Sequence, residues 1–223
     1  MSILPVKICC IASADEAAMA VRYGASALGL VSAMPSGPGP ISEELIAEII
    51  ATVPKHISTF LLTSKQDASS IIAQQKKTKA NTLQLVDAVS TNVYLELRKE
   101  LPGISIVQVI HVIGESSIEE ATSVAPFVDM LLLDSGNPNL AVKELGGTGR
   151  KHDWDVSRKI VSSVSVPVFL AGGLNAGNVH EAIDVVHPYG LDLCSGVRTN
   201  GMLDEMKLLQ FIQAIDSRNV DSV

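Results

Sequence analysis

Eight short apolar runs recur along the chain, at residues 6–11, 27–31, 57–62, 82–85, 104–110, 130–134, 168–171 and 191–194, with helix-like segments between them. This alternation constrains the fold more than any other feature of the sequence. Met130-Leu131-Leu132-Leu133 and Val168-Phe169-Leu170-Ala171 are apolar without a break, the pattern of parallel strands covered on the outside by helices. Eight β-α repeats in 223 residues, joined by short connections, predict an α/β fold of the closed (β/α)8 TIM-barrel type, close to its lower size limit. An open doubly wound sheet is the competing arrangement. It more often has five or six strands and a Gly-rich turn after the first, whereas here the Gly-rich turns come late. No Pro/Gly/Ser linker divides the chain, so residues 1–223 read as a single domain.

Helix starts are marked locally. Ser13 with Glu16, and Ser116 with Glu119, have the spacing of capping boxes. Ser42 precedes Glu43 and Glu44, acids that suit the positive end of a helix. Residues 43–53, 67–78, 92–100, 155–163, 178–186 and 204–217 carry apolar residues at helical spacing, as in the stripe Leu45, Ile46, Ile49, Ile50 and Val53. Such stripes are expected to pack on the sheet. Two connections are long, residues 32–41 and 135–153. Both fall on the C-terminal face, where barrel active sites are built.

The net charge of −7 excludes a nucleic-acid surface, which needs clustered Lys and Arg. The one basic cluster, Lys76, Lys77 and Lys79, ends a predicted helix, where cations complement the dipole. No apolar run approaches the ~20 residues that span a bilayer, and residues 1–7 lack a basic region leading into a signal-like stretch. Three cysteines, with Cys9 and Cys10 adjacent, make neither a disulfide framework nor zinc-ligand spacing. A reducing cytoplasm and no metal are the expectations.

Chemistry concentrates at the strand ends. Residues 167–175 (PVFLAGGLN) and 192–197 (DLCSGV) each pass abruptly from apolar strand to small, flexible residues. Bare N–H groups at strand ends and helix starts are a phosphate site. Gly146-Gly147-Thr148-Gly149 adds a third such turn, so successive loops after strands 6, 7 and 8 offer Gly147, Gly149, Gly172, Gly173, Ser195 and Gly196. Period-two alternation puts Lys7 and Cys9 on one face of the first strand, with Ile8 and Cys10 on the other. An inward Lys7 needs a partner and stabilises a nearby thiolate; Asp192, on the strand that adjoins the first in a closed barrel, can supply that partner. Asp134 stands at the C-terminal tip of its strand, a position that is commonly catalytic in barrels and otherwise caps the following turn.

Together these residues resemble the phosphoribosylanthranilate isomerase family, over essentially the whole chain. The resemblance is carried by Lys7-Ile8-Cys9, Leu132-Leu133-Asp134, Gly146-Gly147-Thr148-Gly149 with Asp153-Trp154, and residues 170–175 with Asn178-Val179 and Ala182-Ile183. Gly190-Leu191-Asp192 and Ser195-Gly196-Val197 complete it. It implies an Amadori rearrangement of a phosphorylated sugar amine, with Asp134 protonating the ring oxygen and Cys9, as thiolate, removing the C2′ proton. It also implies a phosphate held around Gly149, Gly172, Gly173, Ser195 and Gly196, and no cofactor; monomer and homodimer both stay open. Four positions depart from the family pattern: Cys10 replaces a Gly, Gly39 an Arg that pairs with the substrate carboxylate, Val86 a His, and Arg198 an acid. Arg198 or His111 is expected to compensate at the carboxylate. A paralogue for another phosphosugar and a non-catalytic phosphometabolite sensor stay open as alternatives.

Overall fold

The computed structural model describes residues 4–220, with side chains through Asp216; residues 1–3, where the N-terminal segment read for a targeting signal begins, lie outside the described residues. Strands β1 (Val6–Ile8), β2 (Ala27–Val31), β3 (Ser58–Thr63), β4 (Thr82–Leu85), β5 (Ser105–His111), β6 (Met130–Asp134), β7 (Val168–Leu170) and β8 (Gly190–Leu193) pair in parallel and in sequence order. The ring closes through β1 against β8, in the register Lys7↔Asp192.

Helices α1 (Ala14–Arg22), α2 (Glu43–Thr52), α3 (Ala68–Thr78), α4 (Thr91–Glu100), α5 (Ser116–Val124), α6 (Trp154–Ser163), α7 (Val179–Val186) and α8 (Glu205–Val220) pack outside. Outward strand residues such as Ile8, Leu28, Leu61, Leu83 and Leu131 form one core with the helix stripes, including Ile46 and Ile49 of α2. A second cluster fills the barrel interior with Phe60, Val107, Val109, Leu132 and Phe169, bounded above by Cys9, Val31, Leu62 and Val86. Burial of that interior leaves the upper rim as the place where polar groups gather. The described helices include no segment long and apolar enough to cross a membrane.

Local signals were met in most places. Ser13 Oγ accepts from Glu16 N at 3.2 Å, and Ser42 Oγ from Leu45 N at 3.2 Å. The expected box at Ser116 does not form. Glu115 stands at the cap of α5 without a side-chain capping bond, while Ser117 Oγ donates to His111 O and accepts from Ile113 N. The neighbouring serine is thus spent on joining the end of β5 to the helix. The first strand is shorter than the apolar run, ending at Ile8, because Cys10 takes a left-handed conformation at φ 62°. A small hairpin of β9 (Arg198–Thr199) and β10 (Met202–Leu203) precedes α8, with no counterpart in the sequence reading. Lys77 meets Glu43 at 3.1 Å and Glu44 at 2.7 Å on the surface, as a solvated cluster does.

Candidate active site

The C-terminal ends of the strands surround an open hollow of about 680 Å³, its solvent-filled mouth included. Cys9, Asp134, Gly147, Gly149, Gly172, Gly173, Asp192 and Ser195 all line it. The two long connections close over it: Ser36 Oγ donates to Lys143 O at 2.5 Å, and Gly147 lies so close to the Pro38 ring that a methyl group there would overlap it.

Lys7 sits beneath the floor, fully buried, with Nζ 2.8 Å from Asp192 Oδ1 and 5.2 Å from the centroid of Phe60. Burial disfavours the ammonium, but the charges of Asp192 and Cys9 outweigh that and hold its pKa above the ordinary lysine range. The Cys9 thiol is shifted the other way. A hydrogen bond from Cys10 and the Lys7 charge, against the cost of burial, hold its pKa below the usual thiol value. Gly29 on β2 makes this approach possible: a β-carbon there would stand 2.8 Å from Cys9 Sγ and 3.0 Å from Lys7 Nζ. The apolar run 27–31 contains that glycine, but nothing local to it announces the role.

Cys10 does not point outward as strand alternation predicts. Its left-handed backbone breaks the alternation, and it lines the same hollow as Cys9. Its sulfur accepts from the Cys194 thiol at 2.8 Å and faces Pro38 O at 3.6 Å. All three cysteines are free thiols. Gly39 rests directly on this group: with φ 82°, a β-carbon there would lie 2.7 Å from Cys10 Cβ. Positions 10 and 39 therefore share one volume, the Cys10 side chain occupying space that a side chain at 39 would need.

Asp134, at the tip of β6, accepts from Ser135 N at 2.7 Å through Oδ1. Its Oδ2 faces Gly146, whose missing side chain leaves room; a β-carbon there would sit 2.6 Å away. His152 stands nearby, its Nε2 2.8 Å from Ser157 Oγ, and burial pushes its pKa down to about 4, against the pull of Asp134 and Asp153.

The arc of the rim between Asp134 on β6 and Cys9 after β1, formed by the loops after β6, β7 and β8, is built of backbone. Gly149, Gly172 and Gly173 adopt φ of 68°, 84° and 66°. Asn175 Nδ2 and Asn178 Nδ2 both donate to Gly173 O, at 3.2 and 3.0 Å. Peptide planarity then turns the following N–H the opposite way. No backbone carbonyl among the described residues takes the N–H of Gly149, Gly172, Gly173 or Ser195. Unpaired N–H groups in left-handed turns form an anion cradle, and among the described residues no Lys, Arg or His lines the hollow.

Three sequence-predicted residues do not reach the hollow's surface. Lys7 is the floor partner described above. Gly196 lies behind Ser195, packed so tightly on Leu174 O that a β-carbon would overlap it. Arg198 is turned away, its guanidinium engaged by Glu16 and by the carbonyls of Cys9, Cys10 and Gly201. His111 also fails to reach it, with Nε2 on Val86 O at 2.9 Å and Nδ1 under Gly136. The compensating roles expected of Arg198 and His111 at a substrate carboxylate have no geometric basis.

A (β/α)8 barrel that sets a depressed-pKa thiol and a carboxyl group around one hollow, with a cradle of N–H groups on the rim between them, has the layout of an acid–base enzyme for a small phosphorylated molecule. Comparison with known proteins specifies the family. The model for N-(5′-phosphoribosyl)anthranilate (PRA) isomerase matches residues 6–214. N-(5′-phosphoribosyl)anthranilate isomerase 2 of Methanosarcina mazei is 40% identical over 209 residues, covering 93% of this chain and 92% of that protein. The isomerase of Methanosarcina acetivorans is 33% identical over 94% and 92%. The crystal structure of phosphoribosyl anthranilate isomerase from Thermotoga maritima superposes with a TM-score of 0.81 at 28% identity, covering 96% of this chain and 99% of that one. A phosphoribosyl anthranilate isomerase in complex with reduced 1-(o-carboxyphenylamino)-1-deoxyribulose 5-phosphate superposes with a TM-score of 0.79 at 26% identity, over 96% and 99%. The chain belongs to the phosphoribosylanthranilate isomerase family, and is an enzyme of that class.

Proposed function

We infer that this protein isomerises N-(5′-phosphoribosyl)anthranilate to 1-(o-carboxyphenylamino)-1-deoxyribulose 5-phosphate, a step of tryptophan biosynthesis. The observation that carries the reading is the sharing of one hollow by Cys9, Asp134 and the Gly149, Gly172, Gly173 and Ser195 cradle.

The phosphate enters the cradle, where N–H dipoles stabilise it without a cation. Asp134, as the acid, gives its proton to the furanose ring oxygen; the C1′–O bond breaks and the nitrogen lone pair forms the C1′=N bond of an iminium. Cys9, as thiolate, takes the proton from C2′, and that electron pair moves through C1′ to neutralise the nitrogen, giving an enolamine. Tautomerisation, with the C2′ hydroxyl losing its proton and C1′ gaining one, yields the aminoketose, so the net change is an isomerisation. The Lys7 charge supports the base by stabilising its anion. Val31, Met34, Leu62, Val86 and Leu145 form an apolar wall suited to the aromatic ring. The chain is read as one catalytic unit, monomeric or homodimeric, acting in the cytoplasm on this small molecule without a cofactor.

Purified protein mixed with phosphoribosylanthranilate should extinguish the aminobenzoate fluorescence. Cys9→Ser and Asp134→Asn should each lower kcat by about a hundredfold or more, the scale of general acid–base catalysis. Absence of turnover by the wild type would remove this substrate assignment. A thermal shift with a phosphosugar lacking the carboxylated ring, and none with a product analogue, would favour a different aglycone.

A further inference from the structure

Arg198 brings a positive charge into a nearly dry place, its side chain only 6% exposed. Nη2 donates to Cys9 O at 3.0 Å and to Cys10 O at 2.6 Å. Nη1 donates to Glu16 Oε1 at 3.0 Å and to Gly201 O at 2.9 Å. The Glu16 carboxylate is held in turn by Ala12 N at 3.0 Å and Leu203 N at 2.8 Å. One ion pair therefore ties the turn after β1 to the first turn of α1 and to the β9–β10 hairpin.

Two successive carbonyls reach one nitrogen only because the backbone between them is not extended. Cys10 has φ 62°, a left-handed conformation that an L-residue with a β-carbon adopts at a cost and that persists when its surroundings over-determine it. The guanidinium supplies that restraint, since its planar fork offers several donors in fixed directions, which an ammonium does not. We propose that Arg198 is a positioning residue for the isomerisation: by holding the Cys9 and Cys10 carbonyls it fixes the left-handed turn that aims the Cys9 sulfur into the hollow, with Glu16 as its anchor. The proposal rests on the isomerase reading for the role of Cys9. Arg198 itself touches no substrate.

The experiment is a double-mutant cycle between Arg198 and Cys10, because glycine at 10 takes the left-handed conformation freely and needs no clamp. Arg198→Met should lower kcat about 10- to 100-fold with KM changed by less than about threefold, since the cradle is untouched. In a Cys10→Gly background the same substitution should cost less than about threefold relative to Cys10→Gly alone. Arg198→Lys, which keeps the charge with less disturbance to folding, should lose kcat in the same direction as Arg198→Met, by a smaller factor. Equal losses in both backgrounds, a loss confined to KM, or full kcat in Arg198→Lys would overturn the proposal. A readout without substrate separates it from the functional reading: the pH at half-maximal iodoacetamide labelling of Cys9, located by peptide fragmentation, should rise in Arg198→Lys. An unchanged labelling profile overturns the clamp even if phosphoribosylanthranilate proves not to be the substrate.

Discussion

Replacing Lys7 tests whether the buried charge serves the base or only the fold. Lys7 Nζ and Cys9 Sγ stand 3.0 and 2.8 Å from the same point, the β-carbon position of Gly29, so they lie within about 5.8 Å of each other. At an effective dielectric near 20, unit charges at about that separation attract by about 3 kcal/mol. That energy corresponds to about a hundredfold in thiolate population. Lys7→Met alone is a poor probe, because it strands Asp192 as an unpaired buried carboxylate, at about 3–5 kcal/mol of stability. Lys7→Met/Asp192→Asn removes both charges. Asp192 opposes the thiolate more weakly than Lys7 supports it, so the double variant still loses base strength. Its kcat/KM should fall about tenfold or more near pH 6, where Cys9 must be ionised against the proton, and recover towards the wild-type value as pH rises. The assay is the pH dependence of kcat/KM from fluorescence loss, with folding followed by urea titration. A profile superimposed on the wild type, or a deficit equal at every pH, would refute the electrostatic role of Lys7.

Further outcomes follow from close approaches and buried groups. Gly29→Ala should cost about 1–3 kcal/mol by overpacking, read from the urea midpoint, and should also lower kcat, since the added methyl meets Cys9 Sγ and Lys7 Nζ. Gly39→Ala should destabilise by a similar amount, and less in a Cys10→Gly background, because the methyl at 39 meets Cys10. Gly196→Ala should raise KM more than it lowers kcat, since the cradle must shift away from Leu174 O while Cys9 and Asp134 stay in place. His152 gives a pH test. Its folded pKa of about 4 lies below the ordinary 6.5, so the unfolded chain binds the proton first as pH falls. The stability it contributes is complete above pH 6.5 and drains away, by about 3 kcal/mol, as pH falls from there to 4. His152→Asn should flatten that part of the stability–pH curve measured by urea unfolding.

The barrel was legible because its signals are local. Unbroken runs such as residues 130–133 and helix stripes such as that of α2 each report their own burial, and their order along the chain is the order around the ring. The glycine turns at the hollow were legible for a related reason: Gly149, Gly172 and Gly173 stand where the backbone turns left-handed, and glycine is the residue that does so freely. Closure sets β8 beside β1 and so makes Asp192 an available partner for Lys7, but only the register Lys7↔Asp192 and the 2.8 Å contact fix the pairing. What escaped depends on volume shared between distant segments. Cys10 was assigned the wrong face because alternation presumes an extended backbone, and its left-handed φ is supported by Arg198, 188 residues away. Gly39 reads as a lost guanidinium until Cys10 is seen filling the neighbouring space. Arg198 reads as a cation free to meet a substrate until Glu16 and three carbonyls claim it. Position 39 packs on the Cys10 side chain and Arg198 holds the Cys9 and Cys10 carbonyls, so what each residue does is set by a contact with a distant segment that its own neighbours in sequence do not announce.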